Sequence, residues 1–226
     1  MIFSATDVGT KILHFLIPPR CAFCAALPAT GIVCSSCAQG LSLAFSSDPQ
    51  VNYLPGTAIQ VISGAKFAPP VSDALKAFKF SGNIVAGREL AALWLHEFRL
   101  PMHDSLPALW LPVPIPASRR FQRGFNQSEL LARSLARKFG GSVPAGLLQT
   151  AFFRPAMARL RREQRLSTHH KFRLTRRGQD LLRSGQFSVW LVDDVYTTGT
   201  TLRRLAETVL TCNPRLAIAA VTLAAA

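Results

Sequence analysis

Acidic side chains are scarce in this sequence: 12 Asp and Glu stand against 26 Lys and Arg over 226 residues, a formal net charge of +14. That imbalance turns attention to phosphate-bearing partners: nucleic acid, a phosphorylated metabolite or an anionic membrane surface. Long apolar runs are lacking as well. No stretch approaches the roughly 20 uninterrupted apolar residues of a bilayer-spanning helix. The best candidate near the start, 12–19 (ILHFLIPP), carries a histidine and ends in two prolines. It has neither a basic leader nor a small-residue cleavage site, so no secretory signal is expected and the expected location is cytoplasmic. No internal repeat is visible. With 49% hydrophobic and 17% charged residues, wholesale disorder is excluded. The length suits one good-sized domain plus a small appendage.

Cysteine is absent from most of the chain and concentrated in one place. Four of the five lie at Cys21, Cys24, Cys34 and Cys37, two C-x-x-C pairs separated by nine residues. In a reducing compartment, paired thiols read first as metal ligands. Each pair makes a tight knuckle that aims two sulfurs at one point, and two knuckles complete a tetrahedron around Zn²⁺. A redox dithiol needs one pair only, and no strand-then-helix pattern frames either. An iron–sulfur cluster uses the same four thiolates and stays open at this stage. Four thiolates leave no open coordination position, so the site staples a segment too small to build its own core. The lone Cys212 reads as a small buried hydrophobe.

Two regions follow, 1–45 with the cysteine module and 46–226 with alternating helical and strand-like patterns. Residues 76–80 close a helix before the turn 81–83. From 84 to 98, Leu90, Leu93, Trp94 and Phe98 share one helical face. The run 109–115 is a buried strand flanked by prolines, as at a sheet edge. A helix over 126–139 begins with Asn126 as cap and Glu129 at the capping-box position. A strand over 189–192, a turn, a helix over 201–210 and a strand over 216–223 give the order of a parallel α/β sheet.

The most informative passage is 189–201, VWLVDDVYTTGTT. A hydrophobic strand delivers Asp193 and Asp194 to the carboxyl edge of the sheet, where open α/β folds bind ligands. The hydroxyls of Thr197, Thr198, Thr200 and Thr201 suit a phosphate, Gly199 lets the backbone come close, and the helix that follows points its N–H groups at the anion. The acids are better placed to accept hydrogen bonds from vicinal sugar hydroxyls or to help hold Mg²⁺. Phosphate, diol and metal together describe a phosphorylated ribose.

This passage resembles the 5-phosphoribosyl-1-pyrophosphate (PRPP) motif of type I phosphoribosyltransferases. By that resemblance Asp193 and Asp194 contact the ribose hydroxyls, and residues 197–201 wrap the 5-phosphate. A second segment, LPVPIPASRRFQRGFNQSEL (111–130), gathers Arg119, Arg120, Arg123, Gly124, Asn126 and Gln127 after a strand end. Such chemistry suits a diphosphate, and Arg119, Arg123, Gly124, Asn126 and Gln127 are the candidates to bind it. The four-cysteine module, the P-V-P and R-G-F-N-Q elements and the D-D-V-Y-T-T-G loop, in this order, resemble the ComF family of competence proteins over essentially the whole chain. The resemblance implies a type I phosphoribosyltransferase-like α/β fold, a mostly parallel sheet flanked by helices, with a small N-terminal zinc-binding module. It also implies a role in DNA uptake during natural transformation.

The chain departs from the family between the two motifs, where Met157 and Thr168 stand in place of the usual glutamine and asparagine. From Arg154 to Arg183 there are nine arginines and one lysine against Glu163 and Asp180. This cluster fits either a nucleic-acid backbone or a loop closing over PRPP's own charge. His169 and His170 lack metal-ligand spacing and read as surface residues; most Phe residues read as core, with Phe121 and Phe125 as possible stacking exceptions. In purine-salvage relatives an acid stands where this chain has Thr197, so no general base is evident and the catalytic residues are left unassigned. Two expectations follow: a PRPP-dependent phosphoribosyltransferase using Mg²⁺ and an unidentified acceptor, or a non-catalytic module that senses PRPP or holds single-stranded DNA.

Overall fold

The structure, a computed structural model, describes residues 20–27, 31–45, 48–80, 84–100, 106–150 and 172–226. In chain order the elements are α1 (Ser35–Phe45), β1 (Gln50–Tyr53), β2 (Gln60–Lys66), α2 (Val71–Phe80), α3 (Ile84–Glu97), β3 (Ala108–Pro112), α4 (Ala117–Arg123), α5 (Gln127–Phe139), β4 (Leu148–Thr150), β5 (Phe172–Leu174), α6 (Arg176–Ser184), β6 (Ser188–Tyr196), α7 (Thr200–Cys212) and β7 (Ile218–Ala225). Five strands form one sheet in the order β1-β2-β7-β6-β3. All neighbours are parallel except β1, which pairs antiparallel with β2 on the border. A separate antiparallel pair, β4 with β5, stands apart.

The first five residues of β6 are buried, as a central parallel strand covered on both faces requires. The expected strand 189–192 therefore extends further at both ends. The expected strand over 109–115 appears as β3 at the sheet border, but it starts one residue earlier and stops at Pro112, three residues short. On one face α1, α2, α3 and α5 bury Phe78, Trp94, Phe98 and Leu131 against Trp110 and Trp190 of the sheet. On the other, α6, α7 and β5 bury Leu182, Leu202, Leu205 and Phe172 against Val189 and Leu191. Cys212, expected to be buried, is only half-buried: it packs against this second cluster with its thiol 3.7 Å from the Gln179 carbonyl.

α5 begins as expected with Asn126, whose side chain accepts a hydrogen bond from the Ser128 N–H at 3.1 Å. The capping box needs correction. Glu129 turns to arginines instead, 2.8 Å from Arg133 and 3.4 Å from Arg120. Lys138 closes the far end of α3 by donating to the Leu95 and Phe98 carbonyls. The division at 45/46 falls at the end of α1, whose Leu41 and Phe45 are buried in the same core as Trp94. No helix of the described residues is long and apolar enough to cross a membrane. The segment 12–19, the turn 81–83 and most of the basic stretch, including Met157, Thr168, His169 and His170, lie outside the described residues.

Candidate sugar-phosphate site

Parallel strands bring their carboxyl ends to one edge, and the helices that follow them start there. β6 brings Asp193 and Asp194 towards this edge in its last four residues, which run to Tyr196, and both acids are partly buried. Asp193 accepts hydrogen bonds from the Ser128 hydroxyl at 3.0 Å and from the Asp194 N–H at 2.9 Å. Burial of its carboxyl, and then the neighbouring charge of Asp194, push its pKa up to about 7. Those two hydrogen bonds and the Lys79 ammonium pull the other way without cancelling the effect. Asp194 has its own partner, Lys79, whose Nζ lies 2.9 Å from Oδ2.

The loop after the acids turns on Gly199, at φ +69°, a left-handed conformation that costs other residues roughly 1–2 kcal/mol. Space is as restrictive as angle. A Cβ there would come 2.9 Å from Tyr196 Cε2 and 3.0 Å from Pro55 Cδ. Tyr196 is fixed in turn by donating its hydroxyl to the Tyr53 carbonyl at 3.0 Å. Gly199 caps α7 with no side-chain hydrogen bond, so the first N–H groups of this 13-residue helix face the loop. Thr197, Thr198 and Thr200 are exposed, Thr201 is half-buried, and the Thr198 and Thr200 hydroxyls lie 3.0 Å apart. Here is a cradle of hydroxyls and helix N–H groups beside two acids.

The arginine turn takes a form that its prolines concealed. Residues 117–123 are helical, and Gly124 at φ 78° ends the helix. α4 buries none of its side chains; Arg119 and Arg120 are exposed and Phe121 is 94% exposed. Arg123 donates to Gln127 Oε1 at 3.2 Å, and Asn126 donates to the Val113 carbonyl at 3.0 Å. Gln127 is buried, and its Nε2 finds no partner among the described residues. Ser128 stands next to Gln127 and reaches Asp193, so the arginine turn and the acid loop meet at the start of α5. Sequence reasoning missed both Ser128 and Lys79. Neither carries a local motif, and the sheet order alone brings them to the acids.

Beside this edge, Arg88, Arg120, Arg133 and Arg137 line a cleft of about 180 Å³ with Phe125 and a single acid, Glu129. Of the expected basic stretch, Arg173, Arg176, Arg177 and Arg183 are described and exposed. In the N-terminal module the four cysteine sulfurs all lie within 4.8 Å of one another. A tetrahedral ion with bonds of about 2.3 Å needs sulfurs about 3.8 Å apart. The Cys24 and Cys34 sulfurs are 3.7 Å apart. Burial of the Cys21 thiol opposes ionisation, yet backbone N–H groups of Cys34, Cys24 and Phe23 bring its pKa down to about 6. The donor set fits a structural zinc ion.

A mixed α/β protein with a mostly parallel sheet, a four-cysteine cluster and an acid–threonine edge is thus the class defined. No family model matches the chain. It is, however, 30% identical over 199 residues to the DNA utilization protein YhgH of Salmonella typhi, covering 79% of this chain and 84% of that one. The protein of the same name from Escherichia coli K12 is 32% identical over 158 residues, 67% of this chain and 66% of its own length. Competence protein F of Haemophilus influenzae is 28% identical over 148 residues, 62% of each chain. The chain belongs to the ComF family of competence and DNA utilization proteins.

Proposed function

We propose that this chain binds PRPP at the carboxyl edge of β6 and serves in the handling of DNA taken up by the cell. The observation that carries this reading is the joined site: partly buried acids, threonine cradle and α7 N-terminus meet the arginine turn at Ser128. Asp193 and Asp194 accept the ribose hydroxyls, and residues 197–201 with the α7 N–H groups hold the 5-phosphate. Arg119 and Arg123, with Gly124, Asn126 and Gln127, receive the diphosphate. In phosphoribosyl transfer the bond from ribose C1 to pyrophosphate breaks, pyrophosphate leaves with the electron pair, and an acceptor nucleophile takes its place. The arginines stabilise the charge that builds on the departing group. Mg²⁺ bound with the ligand would add to that neutralisation, with Asp193 and Asp194 the carboxylates nearest to hold it.

We assign Zn²⁺ to Cys21, Cys24, Cys34 and Cys37 as a staple of the 1–45 module beside the 46–226 domain, in a protein working in the cytoplasm. Calorimetry of the zinc-loaded protein with PRPP and Mg²⁺ tests the central assignment, and an absence of heat refutes it. Pyrophosphate release across candidate acceptors then separates an enzyme from a sensor.

The arginine-lined cleft favours a second reading, in which the chain holds single-stranded DNA without turnover. Four arginines against one acid, with Phe125 in the lining, suit a phosphate chain. On that reading, affinity for an oligonucleotide falls steeply with salt, and replacing Arg88 and Arg137 with Ala flattens the dependence. Unchanged slopes would place DNA elsewhere.

A further inference from the structure

At the end of α2, Lys79 looks in sequence like one more basic residue of an amphipathic helix. The fold delivers it to the acid pair. Its ammonium lies 2.9 Å from Asp194 Oδ2, with the two side chains only 24% and 14% exposed. That enclosure sets it apart from the exposed ion pairs of the surface, such as Lys76 with Asp73 at 63% and 60%.

Strand geometry explains how both acids find partners in one layer. Trp190 and Val192 pack in the cluster under α2, α3 and α5, and Val195 packs against the same cluster. The two-residue alternation is therefore broken across Asp193 and Asp194. Ser128, on α5, takes one acid, and Lys79, on α2, takes the other.

The preceding residue makes the second connection. Phe78 is fully buried, and its ring stacks on Phe125 of the arginine turn with centroids 5.4 Å apart. Gly87 of α3 leaves the room for that ring, since a Cβ there would come 2.1 Å from Phe78 Cε2. One turn of α2 thus touches both halves of the site. Adjacent carboxylates repel, and burial sharpens the repulsion unless a cation compensates. Asp194 has such a cation, whereas the hydrogen bonds to Asp193 come from neutral donors.

We propose that Lys79 is a positioning residue of the sugar-phosphate site. It holds the Asp194 carboxylate oriented for a ribose hydroxyl, while Phe78 fixes the same helix against the turn that receives the diphosphate. The inference rests on the PRPP reading. Its test is a double-mutant cycle by calorimetry with PRPP and Mg²⁺, circular dichroism confirming the fold of each variant. Lys79→Met is expected to weaken binding about tenfold in the parent and less than about twofold in Asp194→Asn, while Lys79→Arg restores most of the affinity. A Lys79→Met variant that binds like the parent overturns the proposal, as does an equal loss in both backgrounds. If the parent gives no heat, the PRPP reading falls and takes this one with it. Binding by the parent with no effect at Lys79 removes this inference alone. Should Lys79→Met not fold, Lys79→Arg decides: near-parental affinity supports the proposal, and a loss as large as that of Asp194→Asn overturns it.

Discussion

The two halves of the site are built in opposite ways. The acid loop is set into the protein: each carboxylate has a fixed partner, and Gly199 is hemmed in by Tyr196 and Pro55. The arginine turn stands out from it on a helix that buries nothing. The contrast teaches that, if PRPP binds here as proposed, its sugar and 5-phosphate would meet groups already fixed in place, and its diphosphate would meet arginines on an exposed helix.

Mutations can break this contrast in order of size. Replacing Asp193 and Asp194 together with Asn should weaken PRPP binding about a hundredfold, each lost charge-assisted hydrogen bond costing roughly 1.4 kcal/mol or more. Calorimetry reads the loss, and unchanged affinity would void the ribose assignment. Gly199→Ala should lower stability by about 1–3 kcal/mol, from its left-handed backbone and the contact with Tyr196, and should abolish phosphate binding with it. A thermal melt alongside a ribose 5-phosphate titration measures both. Arg123→Ala should reduce PRPP affinity about tenfold while leaving ribose 5-phosphate binding unchanged. Equal losses for the two ligands would mean that the halves are not separate.

A pH series sharpens the contrast further. Asp193 has a folded pKa near 7, above its ordinary carboxylate value, so the folded state holds its proton more tightly than the unfolded state. Stability from this group is full below about pH 4 and is lost as pH rises towards 7. Asp193→Asn should therefore melt higher than the parent at pH 7 to 8 and show a flatter profile between pH 4 and 7. Denaturant midpoints across that range decide it. Smallest of all, Phe121→Ser should leave the melting temperature unchanged, because its side chain gives up no buried surface.

Much of this was legible in the chain because the relevant chemistry is local. The run VWLVDDVYTTGTT names its own strand, turn and helix, and the cysteine spacing anticipates four sulfurs within 4.8 Å. What stayed hidden depends on sheet order. Nothing near Lys79 announces that β7 and β6 will place an acid opposite it, and Ser128 reads only as the second residue of a capped helix. α4 was obscured by the prolines ahead of it. One of them, Pro116, occupies its N-cap, where a missing N–H costs nothing. Glu129 shows the reverse error: a correct local pattern lost to two nearby guanidinium groups.

α1 is a single rod of eleven residues. Cys37 sits in its first turn, and Leu41 and Phe45 lie further along it within the interior, while its Ser42 hydroxyl grips Glu97 of α3 at 3.0 Å. Oxidation of the sulfurs, or removal of a metal bound by them, would therefore act on a rod that is also packed behind Trp94. Coupling of that kind would tie the thiol chemistry of the surroundings to the packing of the main core.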